Sequence, residues 1–208
     1  KTAKKTSILE SLQHSIQRRL PLDNQRLAVF LSGGIDSSLL LALASKQYSH
    51  ISSYVLGDIS SQDVQNALLV TKSLDLPPPK RIPLPSVEEL PSWIEQAVYT
   101  LESSNPSIIS NGLATMLVAK EMHKDGIKIA FGGEGADEVF NGYKWFESTQ
   151  QWSEFKHKLI HDLWKTELRR LDLASMAYSI EVRCPFLDVD LFQSVCELGY
   201  DDFFGAIT

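Results

Sequence analysis

The stretch VFLSGGIDSSLLLAL, residues 29–43, decides how this chain reads. Residues 27–31 are a short unbroken apolar run of strand length, Ser32, Gly33 and Gly34 form a tight turn, and a leucine- and alanine-rich helix starts near Asp36 and runs to about Ser45. Glycine lets the backbone turn sharply and come close to a ligand. The amides of such a turn and of the following helix start point the same way and favour an anion. Ser32, Ser37 and Ser38 add hydroxyls at the same end. The stretch reads as a phosphate cradle. A plain glycine-tight strand–helix turn with a serine cap would account for the turn but not for the Asp and paired Ser that follow it.

No lysine follows Gly34, which excludes a Walker A loop, and the two adjacent glycines do not make the spaced trio of a dinucleotide fingerprint. What remains, Ser-Gly-Gly-x-Asp-Ser, resembles the PP-loop of ATP pyrophosphatases. That resemblance implies cleavage of ATP between its α- and β-phosphates, leaving an adenylated substrate.

With 208 residues the chain has room for one α/β domain with a small helical appendage. A hydrophobic fraction of 43% is ordinary for a globular core. The net charge of −6 and the lack of a basic stripe argue against a nucleic-acid partner. The pairs Arg18-Arg19 and Arg169-Arg170 sit in helical patterns and read as solvated faces, with a lesser alternative in which the charge of Arg169-Arg170 reaches an acidic substrate. Cys184 and Cys196 fit no zinc or redox spacing; both read as buried thiols, in keeping with a reducing cytoplasmic setting. No apolar run is long enough to span a membrane, and no signal peptide is visible. A first residue of lysine reads as a piece of a longer chain.

Outward from the cradle, Ile8, Leu9, Leu12, Ile16 and Leu20 recur at helical spacing, ended by Pro21. Strands are expected at 51–56, 81–84 and 127–131, and helices at 63–74, from the Ser86/Glu89 capping box to about Leu101, and at 112–124 after a polar loop at 103–110. Strands alternating with helices predict an α/β fold, a parallel sheet with helices on both faces. Ligands in such sheets bind beyond the carboxyl ends of the strands. The glycine turns after Leu31 and after Phe131 both leave from carboxyl ends, so two distant stretches are expected to meet. From Tyr143 through about Met176 helical patterns dominate, with Trp145, Phe146, Trp152, Phe155 and Trp164 as core candidates. The expected division is an α/β core over 1–142 and a helical extension over 143–208.

The second turn, FGGEGADEVFNGY at 131–143, crowds glycines and carboxylates together. Those charges make sense beside a cation or a substrate amine. Asp36 and Asp137 are natural oxygen ligands for Mg²⁺, which takes one or two carboxylates plus substrate phosphates. Gly132 and Gly133 let the backbone approach a nucleotide. Glu134 is placed to act as a base or to bind an ammonium. A glycine-rich loop leading into an acidic helix start is the simpler alternative for Asp137 and Glu138.

Three stretches, LSGGIDSS at 31–38, GEGADEVF at 133–140 and SIEVRCPFLD at 179–188, look like signatures of the asparagine synthase family, in the family's order. The likeness covers the chain from about Ile8 to Asp188 and is to the synthetase domain only, with no counterpart of the glutaminase domain. It implies a PP-loop fold of the adenine nucleotide alpha hydrolase type. It further implies that the backbone at Leu31 and Leu56 holds adenine, that Ser32, Gly33, Gly34, Asp36, Ser37 and Ser38 surround the departing β- and γ-phosphates, and that Gly132 and Gly133 touch the nucleotide. Asp36 and Asp137 would hold Mg²⁺, and Glu134 would assist ammonia, as in asparagine-forming members. Members that close β-lactam rings carry tyrosine there. The 181–188 stretch would be architectural, an Arg183–carboxylate latch. The family's serine before the second glycine is Gly132 here, and its glycine pair before the tyrosine is Asn141-Gly142. Family members usually continue to a lysine that faces the phosphates; Lys144 and Lys165 are the substitutes this sequence offers.

The function expected is an ATP-dependent, AMP-forming amide ligase acting on a small-molecule or peptide carboxylate, with ammonia or an amine as acceptor and a separate glutaminase or companion subunit as partner. The alternatives are an adenylating cyclase of the same family and a non-catalytic nucleotide-binding subunit. His157 and His161 lie four apart without a third ligand and read as a solvated helix face.

Overall fold

A computed structural model describes residues 7–142, 158–196 and 198. The first helix, α1 (Ile8–Arg19), opens with a reciprocal cap, Glu10 N–H to Ser7 Oγ at 3.2 Å and Ser7 N–H to the Glu10 carboxylate at 2.8 Å. Then follow β1 (Leu27–Phe30), α2 (Ile35–Ser45), β2 (Ile51–Leu56), α3 (Gln62–Ser73), β3 (Lys80–Ile82), α4 (Leu90–Leu101), α5 (Pro106–Lys124), β4 (Ile129–Phe131) and α6 (Ala136–Phe140). Beyond the undescribed stretch come a wide π-helical turn (Trp164–Leu168), α7 (Arg169–Met176), β5 (Glu181–Arg183), a 3-10 turn (Pro185–Leu187) and α8 (Val189–Cys196).

The strands form one parallel sheet in the order β3-β2-β1-β4-β5. Alternation along the strands sorts side chains onto two faces. Leu27, Val29 and Leu31 with Val55, Ile129 and Phe131 meet α1, α2, α3 and α8 on one face. On the other, Ala28 and Ala130 lie side by side in register and leave a shallow trough for Val118, Ala119 and Met122 of α5. Outside α5, α4 and α7 share a third cluster through Ala97, Leu101, Met116 and Ala174. The three-residue strands β3 and β5 carry charges at the sheet's edges, which leaves short templates for unwanted pairing.

The chain runs from β1 outward to β2 and β3, then crosses to β4 on the other side of β1. That reversal opens a crevice between the carboxyl ends of β1 and β4.

Several elements differ from expectation. Helix α5 begins at Pro106, six residues before the expected start. Pro106 sits at the first helical position, where its missing N–H costs nothing, and Asn105 Oδ1 caps the amides of Ser107 and Ile108. The Ser86/Glu89 pair forms both reciprocal bonds, yet it closes a turn ahead of α4. Strand β5 lies within the stretch expected as a helical extension, where no strand was foreseen; three residues are too short to show a pattern. Cys196 is exposed and Trp164, at 61% exposure, is not core. Tyr143, Lys144, Trp145, Phe146, Trp152, Phe155 and His157 lie outside the described residues.

Candidate active site

The first loop is tied to itself. Ser32 N–H donates to Ser37 Oγ at 3.3 Å, the two hydroxyls are 3.2 Å apart, and Gly34 N–H donates to Ser32 Oγ at 3.3 Å. Gly34 is the N-cap of α2 and offers no side-chain cap, so the helix's leading amides are left to whatever anion arrives. Gly33 has φ +74°, and a Cβ there would stand 2.4 Å from Asn66 Cβ and 2.7 Å from the Ala67 amide nitrogen. The loop therefore rests directly on α3. Ser38 Oγ is buried with no hydrogen-bond partner.

The second loop leaves β4 beside it. Gly133 comes so close that a Cβ would be 3.5 Å from Asp36 Cβ and 3.8 Å from the Ser37 amide. Glu134 folds back over Gly132, where a Cβ would be 2.4 Å from Glu134 Oε2 and 3.0 Å from Val182 Cγ1. Asp137 is exposed in the first turn of α6.

Asp36 is held above the usual aspartate range, first by burial and then by the charge of Asp137. Asp36 beside Asp137, with no cation paired to either among the described residues, fits a divalent ion. Asp36 and Asp137 could hold magnesium, which keeps water and phosphate oxygens in its remaining positions. Among the described residues no cluster of three or more His, Cys, Asp or Glu could enclose a metal by itself.

Glu134 is also raised above its usual range. Burial is the largest cause, Arg170 opposes it, and Glu167 and Glu138 add to it. Cys184 lies behind Glu134, its thiol pushed up to about 12 by burial and by the glutamate's charge against the pull of Arg19. It is a poor nucleophile.

Both loops open on one cavity of about 430 Å³, within the range of small-molecule sites. Its walls follow the strand order. Tyr54, Val55 and Leu56 of β2 stand at one end, with Thr115 and Val118 of α5. Leu31, Ser32, Asp36 and Ser37 stand at the centre beyond β1, and Gly133, Glu134 and Leu171 at the β4 end. Of the residues singled out from sequence, the cavity brings together Leu31, Ser32, Asp36, Ser37, Leu56, Gly133 and Glu134. Gly33, Gly34, Ser38 and Gly132 are not part of the cavity wall, and Asp137 sits close enough to affect Asp36. Thr115 and Leu171 were not foreseen as site residues, and Arg170 was expected first on a solvated face, with reach toward an acidic substrate as the lesser alternative. Arg170 is 10% exposed, against its reading as a solvated face; Glu167 three residues earlier and apolar Leu171 after it were the available signal. Lys165 reaches Asp162 at 3.1 Å and the Trp164 ring, and the cavity wall does not include it.

Beneath the site, the expected Arg183–carboxylate latch takes a different form. Asp188 is gripped by Arg18 at 2.5 Å and Arg19 at 2.6 Å, while Arg183 donates to the Arg19 carbonyl at 2.6 Å and pairs locally with Glu181. Ser15 Oγ donates to the Pro185 carbonyl at 2.6 Å. Arg18 and Arg19, read as a solvated pair, thus fasten α1 to the turn before α8.

Comparison with known proteins places this geometry in context. A relative from Methanocaldococcus jannaschii named for asparagine synthetase is 32% identical over 190 residues, 88% of this chain and 34% of that protein. Glutamine-hydrolyzing asparagine synthetase 1 of Arabidopsis thaliana is 28% identical over 205 residues, 92% of this chain and 35% of the relative. The chain thus spans about a third of the length of the curated relatives it matches. A solved NMN synthetase from Francisella tularensis superposes over 91% of both chains with 15% identity and a TM-score of 0.44. The family model described as asparagine synthase matches residues 7–164 and 147–203, and with nearly the whole length so matched the chain belongs to the asparagine synthase family.

Proposed function

We propose that this domain adenylates a carboxylic acid with ATP and passes the acyl group to ammonia, as an asparagine synthetase would, with aspartate as the acid. The observation that carries the reading is the meeting of two glycine loops from the ends of β1 and β4 on one cavity that holds Asp36 and Glu134. Family membership supports it at the level of an ATP-using amide ligase.

The residues divide the work along the cavity. Leu56, Tyr54 and Val118 give the β2 end apolar walls suited to an adenine ring. The backbone at Leu31 offers polar edges beside it. The Ser32-Gly33-Gly34 turn and the uncapped start of α2 take the β- and γ-phosphates, with the buried Ser38 hydroxyl as a further donor. Asp36 and Asp137 would hold Mg²⁺, which offsets charge on the departing pyrophosphate. A carboxylate oxygen of the acid attacks the α-phosphorus, and the bond to the β,γ-pyrophosphate breaks. Ammonia then attacks the acyl carbon and AMP leaves. Glu134, beside that end and held above its usual pKa by burial, accepts the proton the new amide sheds. A partner glutaminase or a further domain would supply the ammonia.

Incubation with ATP, Mg²⁺, aspartate and ammonium should yield AMP, pyrophosphate and asparagine in equal amounts. E134Q should keep aspartate-dependent pyrophosphate exchange and lose most amide formation, about 10²-fold or more. ATP turnover to ADP, or no AMP with any acid offered, would overturn the reading.

A further inference from the structure

The cavity shared by the two glycine loops has a neighbour at its β2 end. Leu56, at the end of β2, and Ala114 of α5 line both that cavity and a second recess of about 200 Å³. Leu113 and Leu117 line the recess from α5, and Leu84 and Leu90 line it from the segment that leads out of β3 and into α4. Helical spacing accounts for the division. Leu113 and Leu117 are four apart and share one face of α5, while Ala114 and Val118, one position on, line the main cavity. Ala114 puts only a methyl group at the boundary between the two spaces.

The chemistry of the recess is uniform. Among the described residues no charged side chain lines it. Its one side-chain hydroxyl, on Ser110, already donates to the Ser107 carbonyl at 3.2 Å. Leu84 is 54% exposed and Leu90 37%, so two of its leucines forgo the gain that covering them would bring. The apolar stretch is also short. Past Leu84 and Leu117 the walls turn polar with Arg81, Glu89 and Lys120, whose ammonium lies 4.5 Å from the centre of the Trp93 ring. The recess is thus bounded by the main cavity on one side and by charges on another. An apolar space of comparable size holds a benzene ring.

We infer that this recess is a side pocket of the nucleotide site, which takes a hydrocarbon group carried on the edge of the adenine ring. This rests on the placing of adenine at the β2 end in the function proposed above. The occupant follows from where the two spaces meet. They share Leu56 and Ala114 at the β2 end, and none of the residues at the β4 end with Glu134. A group attached to the base therefore enters the recess directly, whereas a group on the acid would have to pass the phosphates first. ATP leaves the recess unfilled. The ligands it selects are adenine nucleotides with an alkyl or aryl substituent, which a pocket closed around the bare base would reject.

The test measures dissociation constants by calorimetry, with Mg²⁺ present, for ATP and two analogues that carry the group on different edges of the base. One is ATP benzylated on its exocyclic amino group; the other bears a hexylthio group on the carbon between the two pyrimidine nitrogens. At least one should bind wild type about 10-fold more tightly than ATP does, as apolar surface leaves water. S110F sets a ring into the recess from the exposed side of α5 and should abolish that gain while ATP binds as before. L84A should reduce the gain by about 3-fold, also without effect on ATP. Unchanged ATP affinity certifies that both variants are folded. A gain with neither analogue overturns the inference alone, and so does a gain that S110F leaves intact. Wild type that binds neither ATP nor the analogues overturns the proposed function together with it.

Discussion

At the residue scale, the cradle depends on one backbone conformation that only glycine adopts without strain. Gly33 has φ +74° and lies against α3, whereas Gly126 has the same φ with nothing within 4 Å of a built Cβ. The pair separates strain from collision. G126A should cost only the left-handed penalty, about 1–2 kcal/mol. G33A adds a clash with the backbone at Ala67, which cannot rotate away, and should cost about 3 kcal/mol or more in urea unfolding. It should also abolish ATP binding, because relief of the clash lifts the loop off α3, while G126A binds ATP as wild type does. Equal losses in the two variants would show that the contact with α3 carries no weight. Glycine and serine identities at 32–38 were legible in sequence because each is demanded by local geometry. The Glu134 carboxylate over Gly132 was not, because that placement depends on how the side chain folds back over the loop and not on residue identity.

At the scale of elements, α1 is fastened to the turn before α8 by Asp188. Burial would raise this carboxyl, but hydrogen bonds from Arg19 and Arg18 outweigh it and hold it below the ordinary value of 3.8. A lowered folded-state pKa contributes stability that is fully present above the unfolded value and is lost as pH falls through the folded one. D188N should therefore destabilise the domain by about 1–3 kcal/mol at neutral pH, toward the lower end because both arginines are partly exposed. The gap between D188N and wild type should stay constant down to about pH 5 and close only below pH 4. Chemical denaturation across that range measures it, and a gap that is the same at pH 3 and pH 7 would remove the latch as its cause. The PFLD motif was readable as architecture, yet its partners were not. Nothing in residues 179–188 points to an arginine pair some 170 positions earlier, because such pairing is a property of the folded sheet. Helix α5 was misjudged for a local reason, a proline read as a breaker that stands where a helix welcomes it.

At the scale of the whole molecule, the site exists only because the sheet reverses its winding between β3 and β4. The sequence shows two glycine turns about a hundred residues apart, and the rule that ligands sit beyond strand carboxyl ends was enough to predict their meeting. Arg170 escaped that rule because it comes from a helix outside the sheet, brought in by packing among α4, α5 and α7. A ligand that bridges both loops should stabilise the fold as a unit. MgATP at about a hundred times its Kd should add about 2.7 kcal/mol, visible as a rise in Tm. D36N and D137N should each remove most of the part that depends on Mg²⁺ while leaving the smaller shift due to ATP alone. Acid should do the same. Asp36 is raised above 3.8 by burial and by Asp137, so it takes up its proton at a higher pH than a free aspartate would. The metal needs the ionised form, and the magnesium-dependent shift should fade as pH falls through a range above 3.8, before ATP binding itself is lost. If the shift with MgATP equals that with ATP alone at neutral pH, or survives D36N intact, the two carboxylates do not hold the metal.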